Sequence, residues 1–191
     1  MAENQLPEAF ESQMLALLGP EEFALFKEGL ALPSQTSIRL NQRKFAELPY
    51  PRRPIPWAKD GYFLEERPSF TMDPTFHAGA YYVQEASSMF ISHVLESQKI
   101  QKGIYLDLAA APGGKSTLLS SYLGEEGLLV ANEVIASRAQ ILKENVIKWG
   151  LGNTVVTHND PEHFGPLEGF FDLVLVDAPC SGEGMFRKDP L

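Results

Sequence analysis

The sequence predicts an α/β protein, a parallel sheet built from right-handed βαβ units with a small α+β appendage before it. Three observations carry that reading. From Ile104 onward, short apolar runs alternate with amphipathic stretches of helical length, the pattern of strands joined by crossover helices. The first 75 or so residues lack that alternation and hold a proline-rich, basic segment. The composition, 44% hydrophobic and 21% charged over 191 residues, is that of a folded globular chain, at roughly 100–200 residues per domain.

Composition also excludes several classes. Mean hydropathy is -0.14, no run approaches the ~18 apolar residues of a spanning helix, and Met1-Ala2-Glu3-Asn4 is acidic and polar where a secretory leader is basic and then apolar. A cytoplasmic protein with no membrane association is therefore expected. The single cysteine, Cys180, rules out an internal disulfide framework and a multi-cysteine zinc site, and the four histidines have no ligand-like spacing, so no metal is expected. The net charge of -9 argues against a chain that grips nucleic acid over its whole surface. Its distribution is uneven, however. Residues 39–59 hold Arg39, Arg43, Lys44, Arg52, Arg53 and Lys59 against Glu47 alone, interleaved with Tyr50 and Trp57, which suits phosphate contacts and base stacking as well as a solvated surface loop.

In chain order, Phe10, Met14, Leu17 and Leu18 recur at helical spacing, and Gly19-Pro20 ends that pattern and begins a second through Phe23 and Phe26 to Gly29. Two short helices are predicted. Ser37-Ile38-Arg39-Leu40-Asn41 alternates apolar and polar residues as a half-buried strand does. Four of the eight positions from Pro49 to Pro56 are proline, which predicts irregular structure. Gly61 to Leu64 reads as another strand.

The second part is more regular. Strands are predicted at Ile104–Leu108, Leu128–Ala131, Thr154–Thr157 and Phe171–Val176, with helices at Ser116–Leu123 and Ala136–Trp149, the latter ended by Gly150. Ligands of parallel sheets sit at the carboxyl ends of the strands, and the unusual residues cluster there. The first strand is followed by Ala109-Ala110-Ala111-Pro112-Gly113-Gly114-Lys115-Ser116. Small residues remove side chains where a ligand approaches backbone, and the following helix offers unpaired N–H groups. A P-loop would need glycine at position 109, where Ala109 stands. Glu133 closes the second strand, where a carboxylate accepts from ribose hydroxyls, and Asn159-Asp160 closes the third, where an adenine edge would lie. Together these describe a nucleoside cofactor without phosphates, although each acid alone reads equally as a helix cap or a surface charge.

The fourth strand ends in Asp177-Ala178-Pro179-Cys180-Ser181-Gly182. C5 of a pyrimidine is a poor nucleophile until a thiolate adds at C6, so a thiol beside the cofactor has a chemical use, and Asp177 there suits hydrogen bonding to the pyrimidine edge. A lone cysteine is otherwise a small buried hydrophobe.

Taken in order, these segments resemble the NOL1/NOP2/Sun family of S-adenosylmethionine-dependent RNA cytosine-C5 methyltransferases, in particular its bacterial ribosomal-RNA branch. The resemblance runs over about residues 36–191 and rests on Ser37 to Asn41, on His77-Ala78-Gly79-Ala80-Tyr81-Tyr82-Val83-Gln84-Glu85-Ala86-Ser87-Ser88-Met89, on Ala109 to Lys115, on Glu133 and Asp160, and on Asp177 to Gly182. It implies a class I, Rossmann-like methyltransferase sheet. The implied cofactor is S-adenosyl-L-methionine, bound by Ala109, Ala110, Ala111, Pro112, Gly113, Gly114, Lys115, Glu133, Asp160 and Asp177. The implied catalytic groups are Cys180, Asp177 and Lys115, with Lys115 near the methionine carboxylate or the aspartate. Where the family usually has Cys, this chain has Ala109. In the family the nucleophile lies in a Thr-Cys motif on a later strand and the Pro-Cys cysteine, here Cys180, assists product release. The chain reaches Leu191 before such a strand, so the expectation is the N-terminal part of a longer enzyme, with a sheet incomplete at its C-terminal side, inactive alone.

The domain division expected is an RNA-contacting appendage over residues 1–75 and a cofactor-binding domain over 76–191 with four strands. Ribosomal RNA is the expected partner and a monomer the expected state. Two rivals remain open on the sequence: a P-loop-like NTPase, suggested by Gly114-Lys115-Ser116 and the apolar strand before Asp177, and a non-catalytic RNA-binding module with a degenerate methyltransferase half.

Overall fold

The computed structural model describes residues 6–44 and 48–178. The described residues fall into two compact units, one up to Gln35 and the other from Thr36 onward. In the first, α1 (Glu8–Ala31) is broken at Gly19, whose φ of 77° and ψ of 168° leave helical space just before Pro20. Proline lacks an N–H and fits the first turn of a helix, so the second helix restarts there, as the sequence predicts. Phe10 meets Phe26 with ring centroids 6.2 Å apart, and Lys27 pairs with Glu11 at 2.6 Å.

The second unit opens on an antiparallel sheet in the order β2-β3-β1-β4, made of β1 (Ser37–Leu40), β2 (Arg52–Ile55), β3 (Ala58–Leu64) and β4 (Tyr81–Val83). Strand β2 corrects the expectation of irregular structure over Pro49–Pro56. It lies at the edge of the sheet, pairing only with β3, and its register shifts between Pro54 and Ile55. An edge strand with a bulge is where a proline costs no ladder hydrogen bond. Between β3 and β4, the short α2 (Pro74–His77) is capped by Asp73, whose carboxylate accepts from Thr75 N and Thr75 Oγ1 and from the hydroxyls of Tyr50 and Tyr81. Burial opposes ionisation of Asp73, but these four donors outweigh it and hold its pKa at about 2.

After α3 (Phe90–Ser97), the parallel sheet forms from β5 (Ile104–Asp107), β6 (Leu128–Asn132), β7 (Thr154–Thr157) and β8 (Leu173–Leu175), in the order β7-β6-β5-β8. The crossovers are α4 (Gly114–Leu123) after β5 and α5 (Ala136–Trp149) after β6. Gly150, at φ 84°, ends α5 in the left-handed conformation that favours glycine. Strand β8 is shorter than Phe171–Val176: Phe171 packs against Phe164 and Phe170, while the Asp172 carboxylate accepts from Ile104 N at 2.7 Å.

The sequence boundary at 75/76 falls inside the second unit. Strand β4 pairs with β1, and Ile55 and Ala58 of the antiparallel sheet share one buried cluster with Tyr105, Leu119, Leu129 and Leu142. A second cluster of Ile38, Leu64, Phe70 and Tyr81 lies within the antiparallel part. No helix among the described residues is long and apolar enough to cross a membrane.

Candidate functional site

In the order β7-β6-β5-β8, successive crossovers run outward in one direction from β5 to β7 and β8 falls on the other side of β5. The carboxyl ends of β5 and β8 therefore flank a topological switch point, where open α/β sheets form a ligand crevice. A cleft of about 180 Å³ is found there, lined by Tyr82, Gln84, Asp107, Ala109–Pro112, Gly114, Lys115 and Asp177, among others.

The floor of the cleft is a braced loop. Ala110 N donates to Asn132 O, Arg138 donates to Ala111 O at 2.9 Å, and Asn145 and Tyr82 donate to Pro112 O at 2.8 and 3.2 Å. Gly113 has φ 109°, a left-handed backbone that favours glycine, and a Cβ on it would press against Leu142 Cδ1 at 3.2 Å. Asn132, fully buried, ties three strand ends: its amide donates to Leu108 O and Asn159 O, and its oxygen accepts from Thr157 Oγ1 and Asn159 N.

Lys115 Nζ donates to Asp177 Oδ2 at 2.5 Å across the cleft. Of the two neighbours expected for Lys115, the methionine carboxylate and Asp177, the structure places the second beside it. Asp107 is 1% exposed, with Oδ2 accepting from Ser116 Oγ at 2.7 Å and Oδ1 without a partner. Burial pushes its pKa up to about 6; the Ser116 hydroxyl and Lys115 pull it down, while Asp177 and Glu133 add to the rise. Glu133 is also 1% exposed. Its Oε1 accepts from Ile135 N at 3.0 Å, and its Oε2 lies 3.5 Å from Arg138 Nη1 with no hydrogen bond.

The structure thus gathers Ala109, Ala110, Ala111, Pro112, Gly114, Lys115 and Asp177 at one cleft. Gly113 shapes the loop from behind, and Glu133 is linked to it through Arg138, which reaches both Glu133 and Ala111 O. Asp160 stands exposed beyond β7, its side chain making no capping hydrogen bond. Cys180 lies outside the described residues. The basic strip requires correction. Arg39 is 5% exposed and belongs to the core of this unit: it donates to Gln84 Oε1, Gly114 O and Thr117 Oγ1, and stacks on Trp149. Burial lowers its pKa to about 9, which leaves it charged at neutral pH. Tyr50 is held by Asp73 through its hydroxyl, and Trp57 donates to Ala86 O and packs on the core.

Sequence reasoning missed Gln84, Asp107, Asn132 and Arg138. Asp107 had a signal, a carboxylate closing the strand before the small-residue loop. Gln84 sits within the segment from His77 to Met89 but has no role assigned by sequence. Asn132 and Arg138 gave no local signal, because their partners are strand ends and loop carbonyls distant in sequence.

A parallel sheet with this strand order and this braced loop at its switch point defines a class I, Rossmann-like methyltransferase fold. Among solved structures, a methyltransferase homologue from Pyrococcus horikoshii superposes with a TM-score of 0.75 at 29% identity, covering 96% of this chain and 67% of that one. Residues 6–86 match the N-terminal domain of 16S rRNA methyltransferase RsmF, and residues 92–191 match 16S rRNA methyltransferase RsmB/F. The chain belongs to the RsmB/F family of methyltransferases. Curated relatives include ribosomal RNA small subunit methyltransferase F of Erwinia tasmaniensis, 40% identical over 96% of this chain and 41% of that protein, and its namesake in Pectobacterium atrosepticum, 42% identical over 83% and 36%. The chain spans about two fifths of the length of these relatives. Nothing favours the NTPase reading, and the geometry opposes it: the Ser116 hydroxyl, which a P-loop would direct at magnesium, is fully buried and donates to Asp107.

Proposed function

We propose that this chain carries the S-adenosylmethionine-binding part of an enzyme that methylates C5 of cytosine in ribosomal RNA. One observation supports it most directly. Glu133 closes β6 with a buried carboxylate oxygen that has no hydrogen-bond partner, next to a loop whose small residues leave room for a nucleoside. A buried carboxylate oxygen with an ion pair to Arg138 at 3.5 Å but no hydrogen bond still has acceptor capacity to fill, and a ribose diol offers donors for it. The residues present therefore fit the cofactor, with Glu133 for the ribose and the Ala109–Lys115 loop for close backbone approach, while Asp160 keeps the adenine-side role that the family resemblance implies.

When bound, S-adenosylmethionine supplies an electrophilic methyl group. The protein's own groups bind and orient. Lys115 fixes the Asp177 carboxylate at the mouth of the cleft, where it is suited to accept from the exocyclic amine of a cytosine, the pairing carboxylates make with that base, and to hold a proton at N3. Cys180, three residues further on, keeps the role implied by the family resemblance, assisting release of the methylated product. RNA would be met by the exposed cations Arg43, Arg52, Arg53 and Lys59. Arg52 and Arg53 lie over the rings of Tyr62 and Phe63.

Titration calorimetry with S-adenosylhomocysteine tests the cofactor reading. Binding with the same affinity in magnesium and in EDTA is expected. Magnesium-dependent binding of ATP, with none of S-adenosylhomocysteine, would return the chain to the NTPase class.

A further inference from the structure

A cluster of rings stands at the surface of the second unit. Phe90, the first residue of α3, is 48% exposed. Its ring meets the indole of Trp57 edge-on with centroids 6.5 Å apart, and the imidazole of His93 at 5.2 Å. His93 is exposed and Trp57 half-buried. Scattered apolar residues at a surface need no explanation, but three rings in mutual contact offer one continuous aromatic surface to a partner.

The patch is fixed from below. The indole N–H of Trp57 donates to Ala86 O at 2.8 Å, Ser92 Oγ donates to Trp57 O at 3.4 Å, and the Trp57 ring packs on the buried cluster that contains Met89 and Leu95. Its position also joins two features already described. Trp57 occupies the turn between β2 and β3, the strands that carry the exposed cations Arg52, Arg53 and Lys59. On the other side, Ser88, two positions before Phe90, lines the cleft together with Gln84. The hydrogen bond from Trp57 to Ala86 therefore links the cation-bearing hairpin to the segment that edges the cleft.

Cations that meet phosphates beside aromatic faces that stack bases are the two parts from which single-stranded nucleic acid sites are made. Those cations favour a polyanion over an apolar polypeptide as the occupant of the patch. We propose that Phe90, His93 and Trp57 form a stacking platform for an unpaired base of the RNA, one that flanks the base entering the cleft. The proposal rests on the RNA reading above and adds to it which side chains take a base.

The test is fluorescence anisotropy on the full chain with two probes, a labelled single-stranded RNA oligonucleotide and the same oligonucleotide annealed to its complement, whose bases are already stacked and paired. Phe90→Leu keeps the apolar bulk but removes the ring, whereas Phe90→Tyr keeps the ring. Phe90→Leu is expected to weaken the single strand by about fivefold or more and the duplex by less than twofold, with Phe90→Tyr close to the parent and the urea midpoint of both variants unchanged. Stacking releases no counterions, so the slope of log affinity against log salt should stay the same in Phe90→Leu, unlike in a variant that loses a phosphate contact. The chain has two tryptophans, and Trp149 is 3% exposed. Quenching of indole emission by the single strand is therefore expected to come from Trp57 and to vanish in Trp57→Phe. Full affinity of Phe90→Leu for the single strand would make the patch an apolar contact of the kind a polypeptide makes and overturn the stacking assignment, as would an equal loss for the duplex. Failure of the unaltered chain to bind either form of RNA would overturn the RNA reading itself, and this proposal with it.

Discussion

Glu133 and Asp107 illustrate how a single carboxylate is used once burial has raised the stakes. Glu133→Gln preserves the acceptor for Ile135 N but removes the charge from the oxygen left for a ligand. Hydrogen bonds to charged groups contribute about 1.5–3 kcal/mol, so S-adenosylhomocysteine affinity should fall by that amount, read by calorimetry, and an unchanged value would take Glu133 out of the site. Asp107 makes a separate prediction about pH. Its folded pKa of about 6 lies above the ~3.9 of an unfolded aspartate. Between those values the folded state holds a proton that the unfolded state has lost, so stability declines as pH rises from about 4 to 6 and stays lower above it. Asp107→Asn escapes that decline. The ligand-free variant should therefore be more stable than the parent near pH 7, by on the order of 2–3 kcal/mol, and gain much less at pH 4, in urea unfolding at the two pH values. A variant no more stable at pH 7 would mean that Asp107 ionises without penalty. Glu133 could be singled out in the sequence because strand ends can be counted, although the same count passed over Asp107. Gln84 and Asn132 could not, since what makes them matter is the identity of partners 25–45 positions away.

Whole elements follow their local patterns wherever the pattern decides the burial. The helix over Ala136–Trp149 and its glycine stop were legible, because periodicity and a left-handed cap are both local. Strand β2 was not: proline argues against a strand until the edge position is known, and that position depends on β3 rather than on β2 itself. The turn after α2 is another non-local case. Gly79 has φ 73°, and a Cβ there would stand 2.1 Å from the carbonyl oxygen of Lys148, near the end of α5. The same turn is held by Asn41, whose amide donates to both Gly79 O and Trp149 O. Gly79→Ala meets a left-handed backbone cost of about 1–2 kcal/mol together with a collision against main chain that no rotamer change relieves. A loss of at least about 2 kcal/mol is expected, measured from the urea midpoint at unchanged slope. Gly152→Ala provides the comparison, because nothing lies within 4 Å of a Cβ at Gly152, and its midpoint should barely move.

At the scale of the whole molecule, the parallel sheet was legible from strand–helix alternation, whereas the sharing of one buried cluster between the two sheets was not, because it needs contacts that no periodicity encodes. The same distinction divides the basic strip. By sequence, Arg39 counts among its cations. By structure, Arg39 is buried against Gln84, Thr117 and Trp149, whereas Arg43, Arg52, Arg53 and Lys59 are exposed. On the proposed reading that the enzyme meets RNA through this part, a chain of net charge -9 repels RNA at long range, so binding would come from a local concentration of such cations and would weaken as salt rises. Replacing Arg43, Arg52, Arg53 and Lys59 by glutamine should therefore lower RNA affinity and flatten the slope of log affinity against log salt by about 0.7–0.9 for each phosphate no longer neutralised. Fluorescence anisotropy with a labelled ribosomal-RNA fragment across a potassium chloride series reads both quantities. Affinity for S-adenosylhomocysteine should be unchanged in this variant, because none of the four residues lines the cleft. An RNA slope unaffected by the quadruple substitution would make these cations an ordinary solvated surface and move the RNA-binding face to some other part of the enzyme.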